Sequence, residues 1–499
     1  MGAMIQCSRG FGHRKAVRAL SALLLFQVIA GYRDDCHSKM YGHQGRESVT
    51  RKARGYMAFV PSKLQLKTTT LATTTSRTAV PSSWNEVEKA LGASFKAEQP
   101  ISVDSVLTPA KPPFYDNPDC PILFRERHGW CPYSERVFLA LEMANVEYYT
   151  IRIDNTGGPR PSYYAGQTPQ MKWPDTSRVQ GESLDLVEEV DARYCDGSLR
   201  SKDSDVKHVI SQFRSIFPRA RPSSRAAFLF QNNGDPLWKS TFETTLEGTD
   251  ELLGKTSSEG PFFLGSEVTA ADIAWAPFLE RYRYQLPCLH QGLDPADGGK
   301  YPHLAKWYKA MEDSIPAYAC RVKGDASSWR KVLSMAGFGN SFVPPNVQGN
   351  MDERVSIEEQ RAAEIVSDSS YQDLWNQYVS TRPHVAPTPY AEVASILCRN
   401  HKAIIGDTLK RAPTWKERGL PQSEADIDST LRALAWVLLT KGGLGSSEES
   451  SSNPRDVVGG EMVDGVAAFA SFLDERMCVP RDMGEICAAT IKALPVELK

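Results

Sequence analysis

The sequence predicts an α/β domain followed by two all-helical regions, in a chain of 499 residues. Three patterns support this prediction. The apolar segment Ile122–Phe124 is typical of a short strand, and after a polar turn a helix begins at Cys131-Pro132. Apolar residues recur at helical spacing through residues 198–335. The same spacing returns in residues 371–499, where the predicted helices have polar opposite faces, so this region is also expected to fold.

Cys131 is the strongest candidate for a catalytic residue. Pro132 is favoured at the first turn of a helix, because its missing N–H costs nothing there. The sulfur therefore lies at a helix N-terminus, where free backbone N–H groups and the helix dipole stabilise a thiolate. The alternative is a buried structural cysteine. A strand, a turn and a Cys-Pro helix start together favour a thiol site of the thioredoxin–glutaredoxin kind.

The residue three positions after Cys131 is Ser134, so the segment cannot close an internal disulfide. Thiol chemistry at Cys131 therefore needs an external resolving thiol, for which glutathione is the obvious candidate. No metal cofactor is expected, and glutathione would act as a co-substrate.

Two further segments could hold glutathione. Thr168-Pro169 precedes a predicted strand, and in thioredoxin-like folds such a proline is cis and the backbone before it pairs with a peptide ligand. Glu182-Ser183 opens a helix after a turn at Gly181, where a carboxylate, a hydroxyl and backbone amides could hold the γ-glutamyl group. The alternative is ordinary helix capping by Ser183. The combination with Cys131-Pro132 favours the ligand site.

These motifs resemble those of the glutathione S-transferases. Cys131-Pro-Tyr-Ser-Glu-Arg-Val is similar to the catalytic motif of the cysteine-type lambda and omega classes. Gly181-Glu-Ser-Leu-Asp-Leu resembles the lambda form of the glutathione-binding turn. A third match, Thr269-Ala-Ala-Asp272, resembles the start of a buried helix in the second, all-helical transferase domain. This S/T-x-x-D pattern predicts a structural capping box.

The resemblance covers residues 115–335 and implies a thioredoxin-like α/β domain plus an all-α glutathione S-transferase domain, here followed by an additional all-α module. The chain departs from the family at Gln167-Thr168, where a basic residue and a valine often precede the proline. The backbone contact is expected to survive this change, but a lysine contact to the glycine carboxylate of glutathione is in doubt.

The predicted organisation has six parts. The first domain is expected to contain a strand, a helix, a strand, a helix, a hairpin and a final helix. The parts are a targeting presequence expected to be disordered (1–85), a linker (86–118), the thioredoxin-like glutathione-binding domain (119–197), the all-helical transferase domain (198–335), a second linker (336–370) and the helical extension (371–499).

Composition excludes several classes of function. The chain is 41% hydrophobic and 24% charged, as in ordinary globular proteins. A net charge of −2 gives no reason to expect binding of nucleic acid. Ten cysteines in so long a chain do not form a disulfide scaffold, and the absence of any Cys-x-x-Cys pair argues against structural zinc.

The N-terminal segment suggests targeting. The apolar run 19–30 follows basic residues and is too short for a confident membrane span, so no stable span is expected in the mature protein. Residues 37–85 are basic and rich in hydroxyl groups, and Glu47 is their one acid, a composition typical of transit peptides. The combination resembles the bipartite presequences of algae with secondary plastids. We expect a plastid location, with the secretory pathway as the alternative.

The predicted function is a glutathione-dependent thiol transferase or reductase that acts through a Cys131–glutathione mixed disulfide. Acceptors could be dehydroascorbate, glutathionyl adducts of small molecules, or glutathionylated proteins, and the resemblance also allows a homodimer. One alternative is conventional glutathione conjugation with Ser134 or Tyr133 as hydrogen-bond donor. The other is a non-catalytic scaffold that uses the helical extension for association.

Overall fold

The computed structural model describes residues 80–218, 228–231, 233–256, 258–338, 342–444 and 454–498. The predictions made for the presequence, up to residue 79, lie outside these residues. Among the described helices, none is long and apolar enough to cross a membrane.

A mixed sheet forms the centre of the α/β domain. Its strands in the described part of the chain are β1 (Ser102–Asp104), β2 (Ile122–Glu126), β3 (Tyr149–Ile153), β4 (Gln170–Lys172) and β5 (Val179–Gln180). Their order across the sheet is β1-β3-β2-β4-β5. The first three strands in that order run parallel, whereas β4 and β5 pair antiparallel. β1 lies in the predicted linker, and its three residues were too few for a strand prediction.

Two helices follow strands of this sheet, and Cys131 and Glu182 occupy their N-cap positions. The helices are α2 (Pro132–Met143) and α3 (Ser183–Tyr194), and a preceding helix, α1 (Trp84–Lys96), stands before β1. The predicted helix between β3 and β4 is wrong, because residues 154–169 form an irregular loop. Pro159 and Pro161 disfavour a helix there, and the Asp154 carboxylate accepts the backbone N–H groups of Thr156 and Gly158, which fixes a turn instead.

The transferase domain is helical, as predicted. Its helices are α4 (Ser204–Ile216), α5 (Lys239–Gly254), α6 (Ala270–Leu289), α7 (Pro302–Ser314), a π-helical turn (Tyr318–Val322) and α8 (Ala326–Ala336). The predicted capping box at the start of α6 is confirmed: the Thr269 hydroxyl accepts from a backbone N–H of the first turn, and Asp272 accepts from the Thr269 N–H. The buried Asp272 carboxylate also accepts from the Trp307 indole at 2.9 Å.

The last part of the chain is a folded helical region. Its helices are α9 (Pro345–Ser367), α10 (Ser369–Val379), α11 (Pro389–Trp415), α12 (Glu424–Lys441), α13 (Pro454–Val458), α14 (Gly460–Arg476) and α15 (Glu485–Glu497). Most of these helices share one apolar core, to which α1 also contributes. The Trp84 indole of α1 donates to Asp428 of α12 at 2.8 Å. The segment 336–370, predicted as a linker with a short charged helix, contains the 23-residue helix α9.

The helical extension contacts the transferase domain through buried charges. Lys323, which follows the π-helical turn, pairs with Glu312 of α7 at 2.8 Å and with Glu485 of α15 at 2.5 Å. Arg361 of α9 pairs with the same two carboxylates. The structure has the predicted architecture: an α/β domain, a second domain that is helical and a further helical region. The exact domain boundaries stay predictions.

Candidate functional site

Cys131 lies where the sequence predicts, at the N-cap of α2, with Pro132 at the first helical position. Its side chain is only 3% exposed. The sulfur is 3.8 Å from the carbonyl oxygen of Thr168. The structure therefore brings together the first two motifs singled out in the sequence, although they are 37 residues apart.

The Thr168–Pro169 peptide bond is cis. Both residues are buried, and the Thr168 hydroxyl accepts a hydrogen bond from the Asn155 side chain at 2.6 Å. Arg160 donates to Asn155 and also to the Gly166 carbonyl. These bonds link the two ends of the loop from 154 to 169, so the loop holds Thr168 beside Cys131.

Glu182 and Ser183 open α3 without capping it. Glu182 occupies the N-cap position with φ 62° and ψ 105°, and no side chain there bonds to the first-turn amides. Its side chain is exposed, whereas Ser183 is buried at the first helical position. The ordinary capping role considered for Ser183 is thus not what the structure shows. An exposed carboxylate stands beside first-turn amides that no side chain caps.

Arg136 is a site residue that the sequence reasoning missed. Its guanidinium donates to the Ser183 hydroxyl at 3.3 Å and to the Ala274 carbonyl of α6 at 2.8 Å. It lies against the rings of Tyr133 and Phe278, and burial lowers its pKa to about 10. Arg136 therefore connects the helix of Cys131 with the start of α3. The sequence gives no clear signal for this role, because Arg136 is one of several polar residues in the helix, together with Ser134, Glu135 and Glu142.

Ser134 and Tyr133, the alternative hydrogen-bond donors for glutathione conjugation, lie in different surroundings. Ser134 is buried, and its hydroxyl accepts from the Glu126 backbone N–H at 3.5 Å, so it is directed toward β2. Tyr133 is half-buried with its ring edge-on to Phe278, and burial raises the pKa of its phenol.

The turn before Cys131 is fixed by hydrogen bonds to a side chain of β2 and to one of α6. The Glu126 carboxylate accepts the backbone N–H groups of His128 at 2.8 Å and of Trp130 at 2.7 Å. From α6, Arg281 donates to the Trp130 carbonyl at 3.1 Å and pairs with Glu135 of α2 at 2.8 Å. Backbone and side-chain contacts thus fix the residue that immediately precedes the sulfur.

Six other described cysteines lie in environments that disfavour a thiolate. Burial raises the thiol pKa to about 11 at Cys195, Cys288 and Cys478 and to about 12 at Cys398, and it also raises the pKa of Cys320 and Cys487 above the ordinary thiol value. Chemistry at those sulfurs is suppressed near neutral pH, since the thiolate is the nucleophile. Over the part of the chain that the structure describes, no group of three or more His, Cys, Asp or Glu side chains could hold a metal ion.

Comparisons with known proteins point to one superfamily. The family model for the C-terminal domain of glutathione S-transferases matches residues 223–310. A chloroplastic glutathione S-transferase of Arabidopsis thaliana is 29% identical over 198 residues, which cover 38% of this chain and 62% of that protein. Pyrimidodiazepine synthase of Drosophila melanogaster is 28% identical over 211 residues, which cover 40% of this chain and 81% of that protein.

Solved structures align with part of the chain. A dehydroascorbate reductase of Chlamydomonas reinhardtii aligns at 18% identity with a TM-score of 0.30, covering 48% of this chain and 99% of that one. A glutathione transferase homologue from Drosophila mojavensis, solved with bound glutathione, aligns at 16% identity with a TM-score of 0.33, covering 48% of this chain and 97% of that one.

The family model and the relatives support the resemblance to the glutathione S-transferase superfamily. The chain spans 62% of the length of the Arabidopsis relative, and the aligned part is about two fifths of the chain.

Proposed function

We propose that this protein is a glutathione-dependent thiol transferase of the glutathione S-transferase superfamily, with Cys131 as the nucleophile. The observation that carries the proposal is the position of the Cys131 sulfur, at the start of α2 and 3.8 Å from the carbonyl of Thr168. Backbone N–H groups at a helix start favour the thiolate, and the backbone of Thr168 is available to align a peptide-like ligand.

The proposed reaction has two thiol–disulfide exchanges. The Cys131 thiolate attacks the glutathionyl sulfur of a mixed disulfide, and the acceptor leaves as a thiol. The thiolate of a second glutathione then attacks the Cys131–glutathione disulfide, which releases oxidised glutathione and restores the Cys131 thiolate. Thr168, Pro169, Glu182 and Ser183 are proposed to bind glutathione in both steps.

The geometry favours exchange over conjugation. A conjugating enzyme needs a hydroxyl that donates to the thiolate of glutathione, and the Ser134 hydroxyl instead faces the backbone of β2. The Cys131 thiolate instead forms a mixed disulfide with glutathione by exchange with a glutathionyl disulfide, from which the other sulfur leaves. Tyr133 is the remaining donor for conjugation, and the experiment below separates the two reactions.

The test measures activity and covalent modification in parallel. Wild-type protein is expected to reduce a glutathionylated peptide with glutathione as reductant, and to gain one glutathione on Cys131 when treated with oxidised glutathione. Cys131→Ser should lose both properties, because a serine hydroxyl is not ionised near neutral pH. Intact-mass and peptide-mass measurements locate the adduct.

Cys195→Ser is the matched control, because Cys195 lies in the same domain and burial raises its pKa to about 11. This variant should keep the activity and the adduct. Thiol-transferase activity that survives in Cys131→Ser contradicts the proposal. Conjugation of an electrophile that survives in the same variant would favour the conjugation alternative.

The location in a plastid is also proposed. One relative is named chloroplastic, and the composition of residues 37–85 is that of a transit peptide. A fluorescent protein fused after residue 85 should enter the plastid of an alga with secondary plastids. Secretion of the fusion would support the alternative.

A further inference from the structure

The helical extension contacts the turn that carries the nucleophile. Cys478 lies in the short connection between α14 and α15. The Trp130 indole N–H donates to the Cys478 sulfur at 3.1 Å, and the Cys478 thiol donates to the His128 carbonyl at 3.1 Å. One side chain of the extension thus joins two residues of the turn, and one of them directly precedes Cys131.

The segment around Cys478 has its own internal structure. The Asp482 carboxylate accepts the Cys478 backbone N–H at 3.0 Å and two hydrogen bonds from the Arg481 guanidinium at 2.7 Å each. Arg481 also lies close to Gly129, since a Cβ added at Gly129 would stand 3.5 Å from the Arg481 backbone nitrogen. The segment is therefore packed against the backbone of the turn as well as against its side chains.

The same segment is fixed to the transferase domain. The Val479 backbone N–H donates to the Ser328 hydroxyl at 2.8 Å, and Arg321 donates to the Pro480 carbonyl at 2.8 Å. Glu485 then begins α15 and pairs with Lys323 at 2.5 Å. These contacts connect the active-site turn, the transferase domain and the extension through a few residues.

We infer that the extension completes the active site, with Cys478 as a positioning residue for the turn 127–130 and so for the Cys131 sulfur. The inference rests on the proposed function, since it concerns the same nucleophile. Trp130 and Cys131 are neighbours in the chain, so fixing the Trp130 indole restricts the backbone angles that aim the sulfur toward the Thr168 carbonyl. Misplacement of a reacting group by about 1 Å can cost about a hundredfold in rate.

Cys478 is suited to this role as a neutral thiol. A thiol can accept from the indole N–H and donate to a carbonyl at once, whereas a thiolate can only accept. Burial raises the pKa of Cys478 to about 11, which keeps the proton on the sulfur. Cys478 thus acts through hydrogen bonds and not as a second redox centre.

The test compares two cysteine substitutions within the extension of the full-length protein. Cys478→Ala removes both hydrogen bonds to the turn, whereas Cys487→Ala removes another buried sulfur of the extension, which lies within α15. The measurements are the rate of Cys131 alkylation by iodoacetamide, kcat and KM with a glutathionylated peptide, and the melting temperature.

Cys478→Ala is expected to lower the alkylation rate and kcat by about tenfold or more, with KM for glutathione nearly unchanged. Cys487→Ala should leave these rates as in wild type, with a similar change in melting temperature. Cys478→Ser, which keeps a donor and an acceptor, should restore most of the rate. Equal effects of the two alanine variants on the alkylation rate would overturn the inference.

A second variant keeps the inference testable if Cys478→Ala does not fold. Trp130→Phe removes the indole N–H and keeps an aromatic ring, so it should slow alkylation in the same way. Alkylation of Trp130→Phe at the wild-type rate would count against the inference. Alkylation needs no glutathione, so these outcomes stand even if the wild-type protein shows no transferase activity and the proposed function fails.

Discussion

At the scale of single residues, Glu182 is the least ordinary member of the site. A residue other than glycine with φ 62° and ψ 105° occupies a sparsely populated backbone region, at a cost of about 1–3 kcal/mol. Neither Glu182 nor Ser183 caps α3, so helix stability does not explain the pair. This backbone conformation and the exposed carboxylate are consistent with the proposed binding of the γ-glutamyl end of glutathione.

Glu182→Gln and Ser183→Ala are each expected to weaken glutathione binding. Loss of a hydrogen bond to a charged group costs about 1.5–3 kcal/mol, which is about ten- to hundredfold in affinity. The melting temperature should change little in Glu182→Gln, because no cap is lost. Calorimetric titration with glutathione, alongside thermal melting, measures both quantities.

Asp185→Asn is the control for this prediction. Asp185 is another exposed acid in the first turn of α3, so this variant tests whether any negative charge in that turn contributes to glutathione binding. The variant should bind glutathione like wild type. Unchanged affinity in Glu182→Gln, or an equal loss in Asp185→Asn, would exclude a specific role for Glu182.

The sequence predicted the positions of those candidate site residues whose signals are local. Cys131 was predictable because Pro132 marks a helix start, and Thr168 because Pro169 precedes a strand. Cys478 was not, since it reaches Trp130 across 348 residues of chain and no local pattern encodes that contact. The sequence offered only a loose likeness between its neighbourhood and a Cys-Pro motif.

At the scale of elements, a buried ion pair joins α8 and α9. Arg330 and Glu358 pair at 2.7 Å with both side chains largely buried. Burial raises the pKa of Glu358 to about 7. The nearby carboxylates Asp325 and Asp474 raise this pKa further, whereas Arg330 and Lys492 lower it.

This carboxyl should make the folded protein less stable as pH rises. The folded state holds the Glu358 proton up to about pH 7, whereas the unfolded chain releases it near pH 4.5. Between those values the folded state binds more protons, so the free energy of unfolding falls with rising pH. The contribution is at most about 3 kcal/mol, because each tenfold change in proton affinity is about 1.4 kcal/mol.

Glu358→Gln should therefore remove part of the loss of stability between pH 5 and pH 8, as measured by urea unfolding of wild type and variant. Glu359→Gln is the control, since Glu359 is exposed on the same helix. A pH dependence that is the same in wild type and Glu358→Gln would contradict the assignment.

The elements were predictable to the extent that periodicity and capping determine them. The capping box at Thr269 and Asp272 is a short-range pattern, and the structure confirms it. The loop at residues 154–169 was predicted as a helix because fold expectation outweighed its Gly-Gly-Pro-Arg-Pro sequence. The length of α9 was underestimated, because most of its side chains are polar and its few buried residues are widely spaced.

At the scale of the whole molecule, the extension packs against both preceding domains. Lys323 and Arg361 face the carboxylates of Glu312 and Glu485 in a buried network. Burial alone would raise the pKa of Glu485, but Lys323 and Arg361 lower it overall. At the other end of the extension, Tyr378 of α10 donates to Glu142 of α2 at 3.0 Å.

We therefore expect the extension to stay bound after its chain is cut. The recognition sequence of a specific protease, inserted within residues 445–453, allows the chain to be cut between α12 and α13. The C-terminal fragment carries Cys478 and Glu485, so it should co-elute with the rest of the protein in size-exclusion chromatography and the nicked protein should keep its activity. Urea that releases the fragment should abolish activity and slow Cys131 alkylation.

Lys323→Met is the companion variant for this experiment. It leaves Glu485 of the fragment without its closest cation, and removing one partner of a buried ion pair costs about 3–5 kcal/mol. The nicked variant should lose its fragment at lower urea concentration than the nicked wild type. Separation of the wild-type fragment in native buffer would show that the extension does not dock. Retention of full activity after the fragment has left would show that the extension serves association or regulation, and not the active site.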